Sequence, residues 1–173
     1  MPLAPQLAAL WSSLGIEEAV IAAKRLTIYD EADALMIAEI GDDGREWRLA
    51  PAACSAWCAM RQAAADDGVL LRIASAWRGI GRQGDLIRSK LDRGETIADV
   101  LERLAPPGCS EHHTGRAVDV YEPGGPVLEE AFETTAAFAW LQANAGRFGF
   151  ALSFPRGNPN GYIYEPWHWC HQP

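Results

Sequence analysis

The chain has 173 residues, the length of one domain that can bury a substantial core. Its 49% hydrophobic and 22% charged residues are typical of a globular protein and exclude a disordered or fibrous chain. The 15 basic and 23 acidic residues give a net charge of -8, which argues against a nucleic-acid partner.

The first part of the chain is predicted to be mainly helical, because residues 2–65 are rich in alanine, leucine and other helix formers. An extended stretch at 26–40 and a turn at 41–44 interrupt these helices. Residues 50–65 carry apolar side chains at helical spacing and lead to a buried strand at 69–75.

The middle of the chain mixes helices with a short strand. A helical region at 82–104 is interrupted by Gly94, and a strand is predicted at 117–121. The next helix begins with Thr134 or Thr135 as its cap and runs to about residue 145.

The last predicted unit is an antiparallel hairpin with strands at 149–154 and 162–169 around a turn at 155–161. Helices come first, and mixed strands and helices with short links follow. This order favours the α+β class over a doubly wound sheet.

Four cysteines are too few to stabilise a chain of this length through disulfide bonds, so we expect reduced thiols. Cys54 and Cys58 are four residues apart on a predicted helix. They would therefore share one face, where we expect small buried hydrophobic side chains.

Targeting signals are not apparent in the sequence. The apolar stretches are far shorter than the roughly 18 residues that cross a bilayer, which predicts no transmembrane segment. The first basic residue, Lys24, comes too late for the n-region of a signal peptide. We therefore expect a cytoplasmic location, or a periplasmic or other extracytoplasmic one if a leader precedes this sequence.

The histidines point to a metal site. All four lie beyond residue 111, in the part of the chain that also carries Asp119 and Glu165. A hydrolytic zinc site uses three nitrogen or oxygen ligands and leaves the fourth position to water. His112, Asp119 and His168 form such a set from three separate segments. The alternative is a hydrogen-bonded cluster of the same side chains.

Glu165 is the candidate base that takes a proton from the water. It stands three residues before His168, and residues three apart on a flat strand point to opposite faces. Pro166 restricts the conformation of the residue before it. We therefore expect a bulge or bend that brings both side chains to one cavity.

Two segments resemble the motifs of a known family. Residues 110–119, Ser-Glu-His-His-Thr-Gly-Arg-Ala-Val-Asp, resemble the Ser-x-His-x-x-Gly-x-Ala-x-Asp motif of zinc D-alanyl-D-alanine carboxypeptidases similar to VanY, the LAS-type metallopeptidases. Residues 165–169, Glu-Pro-Trp-His-Trp, match the second motif of that family. Residues 75–78 resemble its Ser-x-Tyr-Arg segment, with Trp77 in place of the usual tyrosine. The resemblance covers about residues 50–170.

The resemblance implies the VanY- or Hedgehog-like LAS zinc peptidase fold, an α+β fold with a small, mostly antiparallel sheet flanked by helices. We accordingly predict a single domain over residues 1–173. Residues 1–48 would be an N-terminal scaffold segment of unassigned role, and residues 49–173 would be the zinc carboxypeptidase core.

The resemblance also implies which residues perform the reaction. His112, Asp119 and His168 would bind one zinc ion per chain, and Glu165 would be the general base. Arg78 would face the carbonyl or the C-terminal carboxylate of the substrate; its alternative is a surface position that closes a turn.

Three further residues would bind substrate: Gln83, Ser110 and Ser153. The alternative for Gln83 and Ser110 is that they cap helix or loop backbone. His113 is expected to lie beside the ligands or in solvent rather than to bind the metal.

The implied activity is hydrolysis of the C-terminal D-Ala from peptidoglycan stem peptides or precursors. One alternative is an L,D-carboxypeptidase that acts on tetrapeptide stems, because pocket shape sets specificity. Another is a non-catalytic, metal-containing module that binds cell-wall peptides, although the presence of Glu165 argues against it.

One departure from the family lies close to the predicted metal site. Cys170 occupies the position where the family usually has arginine, two residues after His168. Residues two apart on a strand share a face, so its sulfur is expected near the same cavity. We expect a packed neutral thiol; the alternative is a fourth zinc ligand that would close the site.

Overall fold

The computed structural model describes residues 3–172. Its helices are α1 (Pro5–Ser13), α2 (Ala19–Ala23), α3 (Pro51–Asp66), α4 (Ile80–Leu91), α5 (Ile97–Leu101) and α6 (Ala136–Asn144). Its strands are β1 (Met36–Ile40), β2 (Glu46–Leu49), β3 (Arg72–Ser75), β4 (Ala117–Tyr121), β5 (Phe150–Leu152) and β6 (His168–His171). Short 3₁₀ helices span Glu111–Thr114, Glu130–Thr134 and Ala145–Phe148.

Two antiparallel sheets form the β structure of residues 3–172. Four strands pair in the order β3-β4-β6-β5, and β1 and β2 form a separate two-stranded sheet. In the larger sheet Asp119 of β4 lies directly opposite His168 of β6. Small antiparallel sheets combined with helices confirm the predicted α+β class.

Several predicted elements have the expected positions. The strand at 117–121 is β4, and the helix at 50–65 is α3, displaced by one residue. The helical region at 82–104 is two helices, separated near Gly94, whose φ is 88°. Thr135 caps α6, because its hydroxyl accepts a hydrogen bond from the backbone N–H of Phe138 at 3.1 Å.

The predicted terminal hairpin differs from the observed one. Its strands β5 and β6 do pair antiparallel, but β6 covers His168–His171 rather than 162–169. Prolines in the intervening link lack the N–H group that a sheet ladder needs. Asn158 adds local turns, since its Nδ2 donates to the carbonyl oxygens of Pro155 at 3.1 Å and Tyr162 at 2.8 Å. The link is therefore irregular.

Two clusters of buried side chains support this arrangement. The larger cluster joins α3 and α6 to the four-stranded sheet through residues such as Trp57, Leu141 and Phe150. The second cluster packs Trp11 of α1 against Ile87 of α4 and neighbouring residues. The N-terminal segment is thus attached to the helices that precede the first predicted metal ligand.

None of the helices within residues 3–172 has both the length and the apolar character that a bilayer crossing requires. The four cysteines are unpaired thiols. Cys54 is buried as predicted, whereas Cys58 is exposed, so the prediction that both face the interior is wrong for Cys58.

Candidate metal centre and catalytic cavity

Three separate segments bring His112, Asp119 and His168 together. One ligand atom from each residue lies within 4.8 Å of the other two, and all three residues are buried. Asp119 and His168 are cross-strand neighbours, so the register of β4 and β6 sets their separation. His112 is placed by the 3₁₀ helix Glu111–Thr114, which Ser110 precedes and Gly115, with a φ of 66°, follows.

The side chains of this cluster touch one another. Asp119 Oδ2 is 3.2 Å from His112 Nε2, and Asp119 Oδ1 is 3.0 Å from His168 Nδ1. The two imidazole rings are 4.9 Å apart and nearly perpendicular. Two imidazole nitrogens and one carboxylate are a set of ligands that suits zinc. The residues present therefore fit the predicted ion.

The carboxylates of the cluster favour a positive charge on His168. Burial opposes the charge of Asp119, yet the two histidines hold the pKa of its carboxyl well below the usual range. Burial also opposes the imidazolium of His168, but hydrogen bonds to Asp119 and Glu111 raise its pKa to about 10. Burial lowers the pKa of His112, so the carboxylates favour a positive charge on His168 but not on both imidazoles.

Glu165 reaches the cluster through a turn. The backbone N–H of His168 donates to the carbonyl oxygen of Glu165 at 3.1 Å, and Pro166 occupies the second position of that turn. The predicted bend is present, but it precedes β6 instead of interrupting a strand. Glu165 Oε2 consequently lies 3.8 Å from His168 Nδ1.

Burial changes the acidity of Glu165. Removal from water raises the pKa of its carboxyl group to about 7, against the opposing effect of His168. A carboxyl group that titrates near neutral pH can both accept and return a proton. This property suits the predicted base.

The cluster opens into a cavity of about 280 Å³. Apolar and aromatic residues form part of its wall, including Leu104, Leu128, Phe154, Tyr162, Ile163 and Trp167. Arg78, Lys90 and Arg103 also line it. The structure thus places three cations and the metal cluster around one concave space.

Arg78 lies beside the predicted ligands. Burial lowers the pKa of its guanidinium, whereas the charges of Asp119 and Glu165 raise it. Its buried Nε has no hydrogen-bond partner among residues 3–172. A guanidinium stays protonated in proteins, so this group is a cation with a free donor.

His113 has a structural role that sequence reasoning left open. It is fully buried, and its Nε2 accepts a hydrogen bond from the backbone N–H of Gly108 at 3.0 Å. Its Nδ1 therefore carries the proton and lies 2.6 Å from the carbonyl oxygen of Arg78. The ring joins the loop before the first ligand to the segment that carries Arg78.

The three other predicted substrate residues have different surroundings. Ser110 lines the cavity and caps the 3₁₀ helix. Gln83 is fully buried outside the cavity wall, and its Nε2 donates to the carbonyl oxygen of Ala105 at 2.6 Å. Ser153 donates its hydroxyl to Glu111 Oε2 at 2.6 Å. Their roles toward substrate stay predictions.

Cys170 lies beside the metal cluster in sequence but is not part of it. The converging ligand atoms found among residues 3–172 do not include its thiol. It is buried between Ala117 and Ala151 in the sheet register, and burial raises the pKa of its thiol. This position matches the expected packed neutral thiol.

Known proteins resemble this chain in sequence. A Bacillus subtilis protein named as a carboxypeptidase, YodJ, is 38% identical over 113 residues, which cover 63% of this chain and 41% of that protein. A D-alanyl-D-alanine carboxypeptidase of Enterococcus faecalis is 32% identical over 117 residues, covering 62% and 42%. The matched region thus spans about two fifths of the length of these relatives.

Several solved structures resemble this chain in fold. The LdcB LD-carboxypeptidase superposes with a TM-score of 0.73 at 31% identity, covering 82% of this chain and 69% of that one. VanYB in complex with D-alanine-D-alanine superposes with a TM-score of 0.63 at 27% identity, and the match covers 83% of this chain and 78% of VanYB. A mutant of the D,D-pentapeptidase VanY in complex with Zn(II) superposes with a TM-score of 0.62 at 27% identity, and the match covers 83% of this chain and 79% of that one.

These likenesses confirm the predicted LAS fold, and the zinc-bound relative supports zinc as the ion of the cluster. The sequence model of one family, described as VanY, D-alanyl-D-alanine carboxypeptidase, matches residues 46–173. Because this match covers well over half of the chain, the protein belongs to the VanY D-alanyl-D-alanine carboxypeptidase family.

Proposed function

We propose that this chain hydrolyses the C-terminal D-Ala from peptidoglycan stem peptides or their precursors and that His112, Asp119 and His168 hold one zinc ion per chain. The observation that carries the proposal is the convergence of these three residues with Glu165 on one cavity. Membership of the VanY family and the D-alanine-D-alanine bound to VanYB support the substrate class.

Zinc bound at the cluster supplies Lewis-acid chemistry, which polarises a peptide carbonyl and makes water acidic near neutral pH. Glu165 takes the proton of the attacking water and returns it to the departing amine. Its carboxyl group, with a pKa of about 7, is suited to both steps. The peptide bond breaks, and D-alanine leaves with a free amino group.

Arg78 binds the anionic part of the substrate. Its buried guanidinium lines the cavity and has a free donor at Nε. Such a group can bind the C-terminal carboxylate through two parallel bonds or stabilise the charge that develops on the carbonyl oxygen. The apolar wall formed by Phe154, Ile163 and Trp167 suits the methyl side chain of alanine.

Three cations and three carboxyl groups line the cavity, so a bound zinc ion would leave the lining positive, although the whole chain carries a net charge of -8. Lys90 and Arg103 line the cavity together with Arg78. Glu95 pairs with both Lys90 and Arg103, so this side of the wall keeps a surplus of positive charge. Local cations can attract a substrate that the net charge would repel.

The likeness to the LdcB LD-carboxypeptidase favours a second candidate, removal of D-Ala from tetrapeptide stems. The test is D-Ala release from a pentapeptide and from a tetrapeptide stem, each with and without a chelator. We expect release from the pentapeptide that the chelator abolishes. Faster release from the tetrapeptide would assign the L,D activity, and release from neither would contradict the hydrolase and favour a binding module.

A further inference from the structure

His168 has carboxylates at both ring nitrogens. Its Nδ1 is 3.0 Å from Asp119 Oδ1, within the predicted metal cluster. Its Nε2 is 2.9 Å from Glu111 Oε2, on the other side of the ring. Glu111 directly precedes the ligand His112 in the sequence. The family motif does not specify a residue at this position, so the sequence alone predicts no role for Glu111.

A histidine that binds a metal through one nitrogen keeps a proton on the other. The acceptor of that N–H fixes the tautomer and the orientation of the ring, and it raises the basicity of the ligating nitrogen. An ionised carboxylate can only accept hydrogen bonds. When the metal occupies Nδ1, Glu111 is therefore the acceptor for the remaining N–H at Nε2, and it holds His168 in the tautomer whose Nδ1 lone pair faces the cluster.

Glu111 is itself held in place. Ser153 Oγ donates to the same Oε2 atom at 2.6 Å. The Phe154 ring packs 4.8 Å from the His168 ring, which limits the space available to the imidazole. His168 is 4% exposed, and the side chain of Glu111 is 20% exposed. Hydrogen bonds to a charged group are stronger in such surroundings than in water.

Residues of the N-terminal segment also lie near Glu111. A second cavity of about 50 Å³ is lined by Glu111 together with Thr27 and Tyr29. Both of these residues precede the family match at 46–173. Glu111 lines both cavities. It therefore lies between the catalytic cavity and a smaller cavity whose wall includes residues that precede the family match.

We propose that Glu111 is a positioning residue of the metal centre. It orients His168 through Nε2, and Ser153 fixes the carboxylate that does so. This assignment gives Ser153 a role other than the substrate contact predicted from sequence. The role of Glu111 depends on the proposed function in one respect only, namely that zinc is the ion that the cluster binds.

The test measures metal binding, which does not require a known substrate. Zinc affinity is measured by competition with a chelator, and the visible absorption spectrum is recorded for the cobalt-substituted protein. We expect Glu111→Ala to weaken zinc binding by about 10- to 100-fold and to change the cobalt spectrum. Ser153→Ala should have the same effects to a smaller degree.

Two further variants separate positioning from general damage to the fold. Glu111→Gln keeps an oxygen that can accept from Nε2, so it should retain more zinc affinity than Glu111→Ala. Glu129→Ala removes an exposed carboxylate from the same protein and should bind zinc as the unmodified chain does. Thermal unfolding of each metal-free variant shows whether the fold is retained.

The proposal is overturned if folded Glu111→Ala and Glu111→Gln both bind zinc with unchanged affinity and unchanged cobalt spectra. Failure of the proposed function gives a different result. In that case the unmodified protein binds zinc and responds to Glu111→Ala, but releases no D-Ala from either stem peptide.

Discussion

The indole Nε1 of Trp11 donates a hydrogen bond to the carbonyl oxygen of Pro107, 2.8 Å away and 96 residues further along the chain. Two backbone bonds reach the same region, from Tyr29 N–H to Gly108 O at 2.7 Å and from Ala32 N–H to His113 O at 2.9 Å. Residues that precede the family match therefore hold the loop that leads to the first predicted ligand.

Substitutions of Trp11 test this connection. Trp11 is 1% exposed, so Trp11→Ala should lower the free energy of unfolding by about 3–5 kcal/mol. Trp11→Phe keeps most of the apolar volume but leaves the Pro107 carbonyl without its donor, which should cost about 1–3 kcal/mol. Urea unfolding measures both values. Ile28→Ala, at an exposed position, is the control, and unchanged stability in Trp11→Phe would refute the role of the bond.

Glu165→Gln tests the assignment of the base. The amide has nearly the same shape but cannot take a proton, so kcat should fall by about 100- to 10,000-fold. Zinc content should stay the same, because Glu165 is not one of the three converging ligands. Steady-state D-Ala release and metal analysis on the same sample give both quantities. Normal turnover in this variant would remove Glu165 from the mechanism.

Arg78→Lys tests whether the planar guanidinium matters beyond its charge. Lysine keeps a positive charge but cannot form two parallel bonds to a carboxylate, so kcat/KM should fall by about 10- to 100-fold. Arg82→Lys is the matched control, because Arg82 is an exposed arginine nearby in sequence. Equal kinetic constants for the two variants would exclude a substrate contact by Arg78.

The four thiols should differ sharply in reactivity. Cys58 is exposed, whereas Cys54, Cys109 and Cys170 are buried. Burial raises the pKa of Cys109 to about 12, and it also raises the pKa values of Cys54 and Cys170. Because the thiolate is the reactive form, only Cys58 should be labelled quickly near pH 8 in the native protein. Mass spectrometry identifies the labelled site, and rapid native labelling of Cys170 would contradict its packed position.

The sequence predicts the ligands of the site better than the groups around them. The sequence predicts His112, Asp119 and His168 because their types suit zinc and their spacing matches the family motifs. The motif does not specify the residues at positions 111 and 113, and the partners of Glu111 and His113 are distant in sequence. Such contacts depend on tertiary packing, which periodicity does not reveal.

In the fold, too, the sequence predicts some elements, whereas tertiary contacts decide others. The sequence predicts β4 with its observed bounds, because the strand is a short, mostly apolar run between clear loop signals. The sequence wrongly predicts a strand before β6, because Tyr162 and Trp167 are residue types that favour strands. Prolines and the side-chain bonds of Asn158 decide that segment instead.

The most direct test of the central claim is a zinc titration of metal-free protein in which bound zinc and D-Ala release from a pentapeptide stem are measured together. We predict that D-Ala release rises in proportion to bound zinc and stops rising at one ion per chain. Asp119→Asn should show neither tight zinc binding nor release. Full D-Ala release by the metal-free chain, or no zinc binding at all, would contradict the account.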